Sequence, residues 1–501
     1  MTHHSSHVVP RPIVWTIAGS DPGGGAGIQA DLKTMTGLGV HACTVITALT
    51  VQNTTGVFRV APVAPDLLRE QLAALAADLP PAAIKIGMLA TVEHVRIVAE
   101  FLRQTDAFVV CDPVLNATSG ARLLDTEGRQ GLIEGILPRA DVVTPNLAEL
   151  EVLGGTSPSE AIVIQAEPLK PALEEAAAEL VRRGARSVLV KGGHGGTEFS
   201  QDYWTNGHNA FWLTSPRQHI RHTHGTGCTL SAAIAAAHAL GLTLPDALVL
   251  GKAYLNQGLS RGENLGRGHG SLAHHGWPDD AVDLPWATPT AAAGRARLVF
   301  PSCGPAPLGL YPIVDRAAWL EQLLPLGITT IQLRVKDLTG TALEKEICAA
   351  IAIARRFDAR LFINDVWALA LQHGAYGVHL GQEDARQADL GALARAGLRL
   401  GLSAHNYIEL ACAHALQPSC LGLGPVFATT TKRMTLPPLG IDGFRRLRRL
   451  AGCPVAAIGG LTPEHVPALR AAGADGFAVA ADLLRAPDTR ARAAEWLQLL
   501  A

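Results

Sequence analysis

The stretch whose reading decides the fold runs Ile331-Gln-Leu-Arg-Val-Lys-Asp337, then Leu361-Phe-Ile-Asn-Asp365, then Val378-His-Leu-Gly-Gln-Glu-Asp384. Each polar cluster follows a short apolar run of the kind that forms a buried strand. A helix-like stretch separates each cluster from the next. This is a βα repeat, and in βα barrels the residues just past the C-terminal end of a strand face the active site. The groups collected there are two cations (Arg334, Lys336), an amide (Asn364) and two carboxylates (Asp365, Asp384). Carboxylates hold a magnesium ion, and cations and amides hold phosphate oxygens, so the set matches a magnesium–diphosphate site. Three unrelated polar strand ends would be the bland reading, and three such clusters in series weigh against it.

Working outward, the rest of the second half counts as a barrel. Strand-like runs occur at Leu310–Val314, Thr329–Val335, Arg360–Ile363, Gly377–Leu380, Arg399–Leu402, Leu421–Phe427, Pro454–Ile458 and Gly476–Ala480. Most intervals carry helix-like sequence, which predicts a compact (β/α)8 TIM barrel. In such barrels the loops after the last two strands often take a phosphate. Here they hold Gly459-Gly460 and Ala480-Ala481. After the sixth run stand Thr429, Thr430, Thr431 and Lys432, hydroxyls beside a cation, which suit a second phosphate.

The first half alternates in the same manner. Ile13–Ala18 leads into Gly19-Ser-Asp-Pro-Gly-Gly-Gly-Ala-Gly27 and a helix-like stretch from about Ile28. Further strand-like runs lie at Ala42–Leu49, Ala83–Ile86, Phe108–Cys111, Val142–Thr144 and Ser187–Val190, with helical spacing at Leu67–Leu79 and Leu173–Arg183. This predicts a doubly wound α/β domain, a parallel sheet covered by helices. The glycines follow neither the dinucleotide fingerprint nor the Gly-x4-Gly-Lys-Ser/Thr phosphate loop. Near the end of this half, His222-Thr-His-Gly-Thr-Gly-Cys228 enters an Ala-rich helix, Leu230–Leu240. A Gly-Thr-Gly turn at a helix start offers free N–H groups and a positive dipole end, an anion hole. Cys228 at that position is expected to favour its thiolate; a tight turn with a small buried Cys is the alternative. The stretch from Pro278 to Pro307 is rich in Pro, Ala, Gly and Ser and reads as a linker. The expected domains are therefore 1–277 and 309–501, joined by 278–308.

Bulk numbers narrow the function. Of 501 residues 48% are hydrophobic and 17% charged, enough for large cores. A net charge of −2, with no basic run among aromatics, argues against nucleic acid. No run of about 18 apolar residues is present, so no membrane span is expected. The N-terminus lacks the apolar core of a signal peptide. The eight cysteines are scattered without a Cys-x-x-Cys pair, which fits a reducing, cytoplasmic setting.

Two resemblances follow from these motifs. Gln332-Leu-Arg-Val-Lys336, Phe362-Ile-Asn-Asp365, His379-Leu-Gly-Gln-Glu-Asp384, Gly401-Leu-Ser403, Gly424-Pro-Val-Phe427, Thr429–Lys432 and Ala457-Ile-Gly-Gly460 resemble thiamine-phosphate synthase over about 190 residues. The resemblance implies that Gln332, Arg334, Lys336, Asn364, Ser403 and Lys432 hold a pyrimidine diphosphate and that Asp365 and Asp384 hold Mg2+. It places the thiazole phosphate on Thr429, Thr430, Thr431, Gly460 and the Ala480-Ala481 turn. The family commonly has Glu at Val335 and Val-Ser at Ala480-Ala481, so one phosphate-binding hydroxyl is missing here.

In the first half, Ala18–Asp31, Val51-Gln-Asn53, Lys85-Ile-Gly-Met88, Asp112-Pro-Val114, Thr144-Pro-Asn146, Lys191-Gly-Gly-His194 and His224-Gly-Thr-Gly-Cys228 resemble hydroxymethylpyrimidine/phosphomethylpyrimidine kinase, a ribokinase-like enzyme, over about 260 residues. That implies Asp21, Gln52 and Met88 at the pyrimidine. It implies Cys228 as the group activating its hydroxyl, with Gly225 and Gly227 in the anion hole. Asn146, Lys191 and Thr226 would lie at the nucleotide of Mg-ATP, and Glu149 with Asn146 would organise Mg2+. The joint expectation is a bifunctional thiamine-biosynthetic transferase acting on small molecules and associating as a homo-oligomer. Three rivals are weighed against it: a pyridoxal/pyridoxine kinase in the first half, a non-catalytic regulatory module in one half, and a hydrolase or isomerase on the same barrel.

Overall fold

The computed structural model describes all residues except 1–9, 116–123, 155–168, 193–197, 292–297 and 430–436. The chain divides into two compact units, Met1–Pro278 with Asp283–Ala293, and Asp279–Val282 with Gly294–Ala501.

The first unit is built on one sheet. Its strands are β1 (Ile13–Ser20), β2 (His41–Asn53), β3 (Gly56–Pro62), β4 (Ala83–Ile86), β5 (Phe108–Cys111), β6 (Val142–Val143), β7 (Val188–Val190), β8 (Phe199–Thr205), β9 (Ala210–Pro216) and β10 (Trp286–Thr288). The order is β10-β9-β8-β7-β6-β5-β4-β1-β2-β3. The six strands from β7 to β2 are parallel, and the remaining pairings at both ends are antiparallel. The central strands β4 to β7 are short and mostly apolar because both faces are covered. Alternation decides which face each side chain meets. On β1 and β4, Trp15, Ile17, Ile84 and Ile86 join the core made with Leu68, Leu72, Val95, Val98, Leu150 and Leu180 of the helices Pro65–Asp78, Val92–Leu102, Leu147–Gly154 and Leu169–Arg182. The intervening Thr16 and Lys85 face the other layer, where the helices Gly27–Leu38 and Thr226–Ala239 pack. The Thr226–Ala239 helix is buried from Thr229 to Ala237, and its alanines let it lie close over the sheet.

The segment 278–308, read from sequence as a linker, contains β10, which pairs antiparallel with β9. Just before it, the Asp283 carbonyl accepts a hydrogen bond from the buried Asn256 amide at 2.8 Å. The antiparallel wings β3, β8, β9 and β10 escape the sequence reading because they mix polar and apolar residues without a long apolar run.

The second unit is a closed barrel of eight parallel strands: β11 (Gly309–Val314), β12 (Thr330–Leu333), β13 (Arg360–Asn364), β14 (Gly377–Leu380), β15 (Arg399–Ala404), β16 (Cys420–Leu423), β17 (Val455–Ile458) and β18 (Gly476–Val479). All eight expected runs are strands. β16 stops earlier than its apolar run suggests, because Pro425 has no N–H to continue the ladder. Tyr311, Phe362, Cys420 and Ala456 fill the interior toward the N-terminal end. There the buried Arg360 donates to the carbonyls of Cys303 (3.3 Å), Ala306 (3.0 Å) and Pro307 (2.7 Å), pinning the incoming chain. The opposite, C-terminal end is open. Among the described residues no helix is long and apolar enough to cross a membrane.

Candidate active sites

The first unit carries a cavity of about 790 Å³ at the C-terminal ends of its parallel strands. Asp21, Gln52, Met88, Asn146, Glu149, Lys191, Gly225, Thr226, Gly227 and Cys228 all line it. Sequence positions more than 200 residues apart therefore meet in one place.

Several of these side chains are already occupied. Asp21 Oδ1 accepts the Gly23 N–H at 2.8 Å, and Oδ2 accepts those of Gly25 (3.1 Å) and Ala26 (2.8 Å). His224 Nε2 lies 3.0 Å from the same Oδ2. Burial would raise the Asp21 carboxyl, but the hydrogen bonds from His224, Gln52 and the backbone amides outweigh it and bring it down to about 2. Asp21 thus ties the glycine-rich loop to the turn before Cys228, a task invisible in the sequence. Asn146 and Glu149 also bond to each other. Glu149 Oε2 accepts the Asn146 N–H at 2.7 Å, and Asn146 Oδ1 accepts the Glu149 N–H at 2.9 Å, a reciprocal cap on the helix Leu147–Gly154. Burial pushes the Glu149 carboxyl up to about 7, with Asp112 adding to the rise and Lys191 opposing it.

At the anion-hole turn, Gly225 has φ +84°, and a Cβ there would lie 1.8 Å from the Gly25 carbonyl oxygen. Gly227 leaves room for a cation, since its Cβ would lie 3.0 Å from Lys191 Nζ. Lys191 Nζ is 2.7 Å from Asp112 Oδ1 and 3.9 Å from Glu149 Oε2. Burial opposes the Lys191 charge, while Asp112 and Glu149 hold it on. The expectation that Cys228 favours its thiolate needs correction. Burial pushes the thiol up to about 11, outweighing the pull of Lys85 and the Gly27 amide. Asp112 and His224 received no role from sequence. Asp112 could have been found, because it follows β5 directly and precedes a proline, where strand ends meet the cavity.

The barrel holds a second cavity, of about 640 Å³, at its C-terminal end. Gln332, Arg334, Lys336, Asn364, Asp365, Asp384, Ser403, Thr429, Gly460, Ala480 and Ala481 line it. Thr430, Thr431 and Lys432 lie outside the described residues. Lys336 Nζ pairs with Asp365 Oδ2. Asp365 takes φ +64°, a left-handed conformation that Asp tolerates better than most residues, and its N–H donates to the His379 carbonyl at 3.0 Å. Burial raises the Asp384 carboxyl. The charge of Asp365 and a hydrogen bond shared with it raise Asp384 further, against the pull of Lys336. Two carboxylates that share a hydrogen bond in this way suit a divalent cation between them. Among the described residues no three His, Cys, Asp or Glu side chains converge to hold a metal unaided. Remaining positions on such a cation would fall to ligand oxygens.

His379 projects into the barrel interior. Its Nε2 is 3.0 Å from Ser403 Oγ, its Nδ1 has no partner, and burial lowers its pKa to about 4, so the ring is neutral. Strand alternation places His379 inward, a signal from which its position in the cavity follows. Gly459 and Gly460 have φ +96° and +65°, and a Cβ on Gly460 would lie 2.4 Å from the Ala428 carbonyl oxygen. Ala480 and Ala481 offer only methyl groups. The neighbouring Asp482 is held by Arg492 (2.6 and 2.9 Å) and Trp496 Nε1 (2.7 Å), which neutralises it at the cavity edge.

Comparison with known proteins follows the same division. A family described as phosphomethylpyrimidine kinase matches residues 21–273, and one described as thiamine monophosphate synthase matches residues 310–483. The thiamine-phosphate synthase of Serratia proteamaculans (strain 568) is 50% identical over 197 residues, 39% of this chain and 93% of that protein. The pyridoxal kinase from Staphylococcus aureus, solved in complex with ADP, is 30% identical with a TM-score of 0.50, covering 56% of this chain and 98% of its own. The phosphomethylpyrimidine kinase from Clostridium difficile 630 is 35% identical with a TM-score of 0.42, covering 49% and 98%.

Proposed function

The chain belongs to the phosphomethylpyrimidine kinase family through residues 21–273 and to the thiamine-phosphate synthase family through residues 310–483, and from that premise we infer how its two cavities divide the work. It is a bifunctional transferase of thiamine biosynthesis. The first unit phosphorylates 4-amino-5-hydroxymethyl-2-methylpyrimidine and then its monophosphate. The barrel joins the diphosphate to thiazole phosphate and releases pyrophosphate.

The observation that carries the division is that each cavity assembles its own anion-holding set. In the first unit this is the Gly225–Cys228 turn with Lys191; in the barrel it is Arg334 and Lys336 with Asp365 and Asp384. Phosphoryl transfer depends on positioning and on neutralising charge. The turn's N–H groups and Lys191 would hold the transferring phosphoryl, Gln52 and Met88 would position the pyrimidine, and Cys228, in its minor thiolate form, would take the hydroxyl proton. ATP as the donor is supported by the ADP-bound kinase neighbour. In the barrel, the 4-amino group of the pyrimidine pushes electrons as the methylene–oxygen bond to diphosphate breaks, and the thiazole nitrogen then attacks the methylene. Arg334, Lys336, Asn364 and Ser403 would hold the diphosphate as its charge grows. A neutral His379 can accept a hydrogen bond without adding charge. Mg2+ at Asp365 and Asp384 would neutralise the leaving group.

A pyridoxal kinase activity in the first unit is favoured by one finding, the likeness to the Staphylococcus aureus enzyme. Preferential turnover of pyridoxal over the pyrimidine would establish it. A cytoplasmic setting fits the eight unpaired cysteines. Self-association is supported by Leu49, Val51 and Phe58 exposed on the β2–β3 hairpin and is read by sedimentation velocity. The decisive experiment incubates the chain with hydroxymethylpyrimidine, Mg-ATP and thiazole phosphate. Formation of ADP, pyrophosphate and thiamine phosphate is expected; absence of thiamine phosphate would overturn the reading.

A further inference from the structure

Beside the Gly225–Cys228 turn lies a buried ion pair that no step above uses. Lys85 Nζ is 2.8 Å from Asp31 Oδ2, and both side chains are 0% exposed. Thr16 Oγ1 donates to the same oxygen at 2.6 Å, while Asp31 Oδ1 has no partner. Thr16 stands opposite Lys85 in the β1–β4 register, and Asp31 comes from the helix Gly27–Leu38. Replacing a fully buried ion pair by apolar residues is often neutral or stabilising, so stability alone does not call for a pair at this place. Its location is informative: Lys85 lines the same cavity as Cys228, and the helix that begins at Thr226 packs on β4. The ammonium has three donors, and one goes to Asp31. Gly87 keeps its surroundings clear, because a Cβ there would lie 2.8 Å from Lys85 Nζ.

We propose that Lys85 is a positioning residue for the kinase reaction: its ammonium, held by Asp31 and Thr16, is the fixed positive charge that makes a Cys228 thiolate accessible. The inference rests on the reading of Cys228 as the proton acceptor. In that step the substrate hydroxyl proton passes to the Cys228 sulfur as the oxygen–phosphorus bond forms. The bond from the γ-phosphorus to its bridging oxygen breaks, and ADP leaves. The charged groups around the thiol are Lys85 on β4, Asp31 on the facing helix, Asp112 after β5 and Lys191 after β7. Burial works most strongly against the thiolate; Lys85 is the largest influence in its favour, with Asp31 and Asp112 opposing. Burial also opposes the Lys85 charge, but Asp31, Cys228 and Asp112 together keep it protonated.

The test uses the intact chain with Lys85→Met and with Lys85→Met/Asp31→Asn, the second leaving no unpaired buried charge. Iodoacetamide alkylation of Cys228 is followed by peptide mass at about pH 8, and ADP formation is measured against pH. Alkylation of Cys228 is expected to slow by about tenfold or more in Lys85→Met, since one pKa unit is a factor of ten in thiolate, and by a smaller but measurable factor in the double variant, where the loss of Asp31 removes a charge that opposes the thiolate. The acid limb of the kinase pH profile should move to higher pH in both. Coupling of supplied pyrimidine diphosphate should be unchanged, which reports that the barrel remains folded. If Lys85→Met does not fold, the double variant decides alone. Wild-type alkylation and an unshifted limb in the double variant would assign Lys85 a purely structural role and overturn the proposal. Undiminished ADP formation by Cys228→Ala would instead overturn the reading of Cys228 itself, leaving the alkylation result to report the electrostatic coupling.

Discussion

Replacing Glu149 by Gln should stabilise the first unit at alkaline pH while impairing its kinase reaction. The Glu149 carboxyl is raised from 4.5 to about 7, burial being the main cause. A carboxyl whose pKa is higher in the folded state binds its proton more tightly when folded. Stability therefore falls as pH rises through the window from 4.5 to about 7, and the full penalty is present above it. A shift of that size corresponds to about 3 kcal/mol. Gln cannot ionise, so the penalty disappears in the variant. The variant loses one acceptor, because a carboxylate can receive both the Asn146 and the Leu115 N–H while the amide oxygen serves one well. That loss is of order 1 kcal/mol and does not vary with pH. The readout is thus the change with pH, not the absolute stability. Urea unfolding should be followed by hydrogen exchange in the peptides spanning residues 142–153, so that the first unit is read separately from the barrel. Relative to wild type, the variant should gain about 3 kcal/mol between about pH 4.5 and pH 8. A difference that stays flat across this range would refute the argument. Stability held back by a charged group in a cavity is a common signature of a functional site.

Three further outcomes are expected. Cys228→Ala should reduce ADP formation by at least about a hundredfold while leaving the coupling of supplied pyrimidine diphosphate intact, and Asp365→Asn should do the reverse; product assays on both variants check this, and loss of both activities in one folded variant would refute the division of labour. Gly268→Ala would place a Cβ 1.8 Å from the Thr54 carbonyl oxygen, where the His269 N–H now donates to it at 3.0 Å, so the β2–β3 hairpin must shift; the KM for the pyrimidine should rise several-fold, with faster hydrogen exchange at residues 51–57. Ala481→Ser returns a hydroxyl to the cavity wall and should lower the KM for thiazole phosphate by about fivefold, one hydrogen bond's worth, as measured by initial rates of thiamine phosphate formation.

The sequence was most legible where burial forces regularity. All eight barrel strands are enclosed by helices outside and packed side chains inside, so each is a short apolar run, and the described residues picked out at the strand ends line one cavity. The antiparallel wings of the first sheet lack that constraint. Phe199–Thr205 and Ala210–Pro216 carry Gln201, Asp202 and Thr214 among their aromatics, and no alternation stands out. Side-chain tasks were the least legible. Asp21 and the Asn146–Glu149 pair spend their oxygens on local backbone amides, which depends on loop conformation and not on spacing. The Cys228 expectation weighed a helix dipole without knowing the depth of the site, and burial reverses its sign.

The short edge strand Trp286–Thr288 has a practical consequence for anyone dissecting the two activities. A gene cut at the composition boundary near Pro278 would strip the kinase half of its outermost strand and would leave the amide of Asn256 without the Asp283 carbonyl. The excised half would then expose the bare flank of β9, a ready template for aggregation. Splitting the coding sequence beyond Thr288 preserves that border, and poor solubility of shorter fragments would reflect where they were severed and not an obligate dependence of one catalyst on the other.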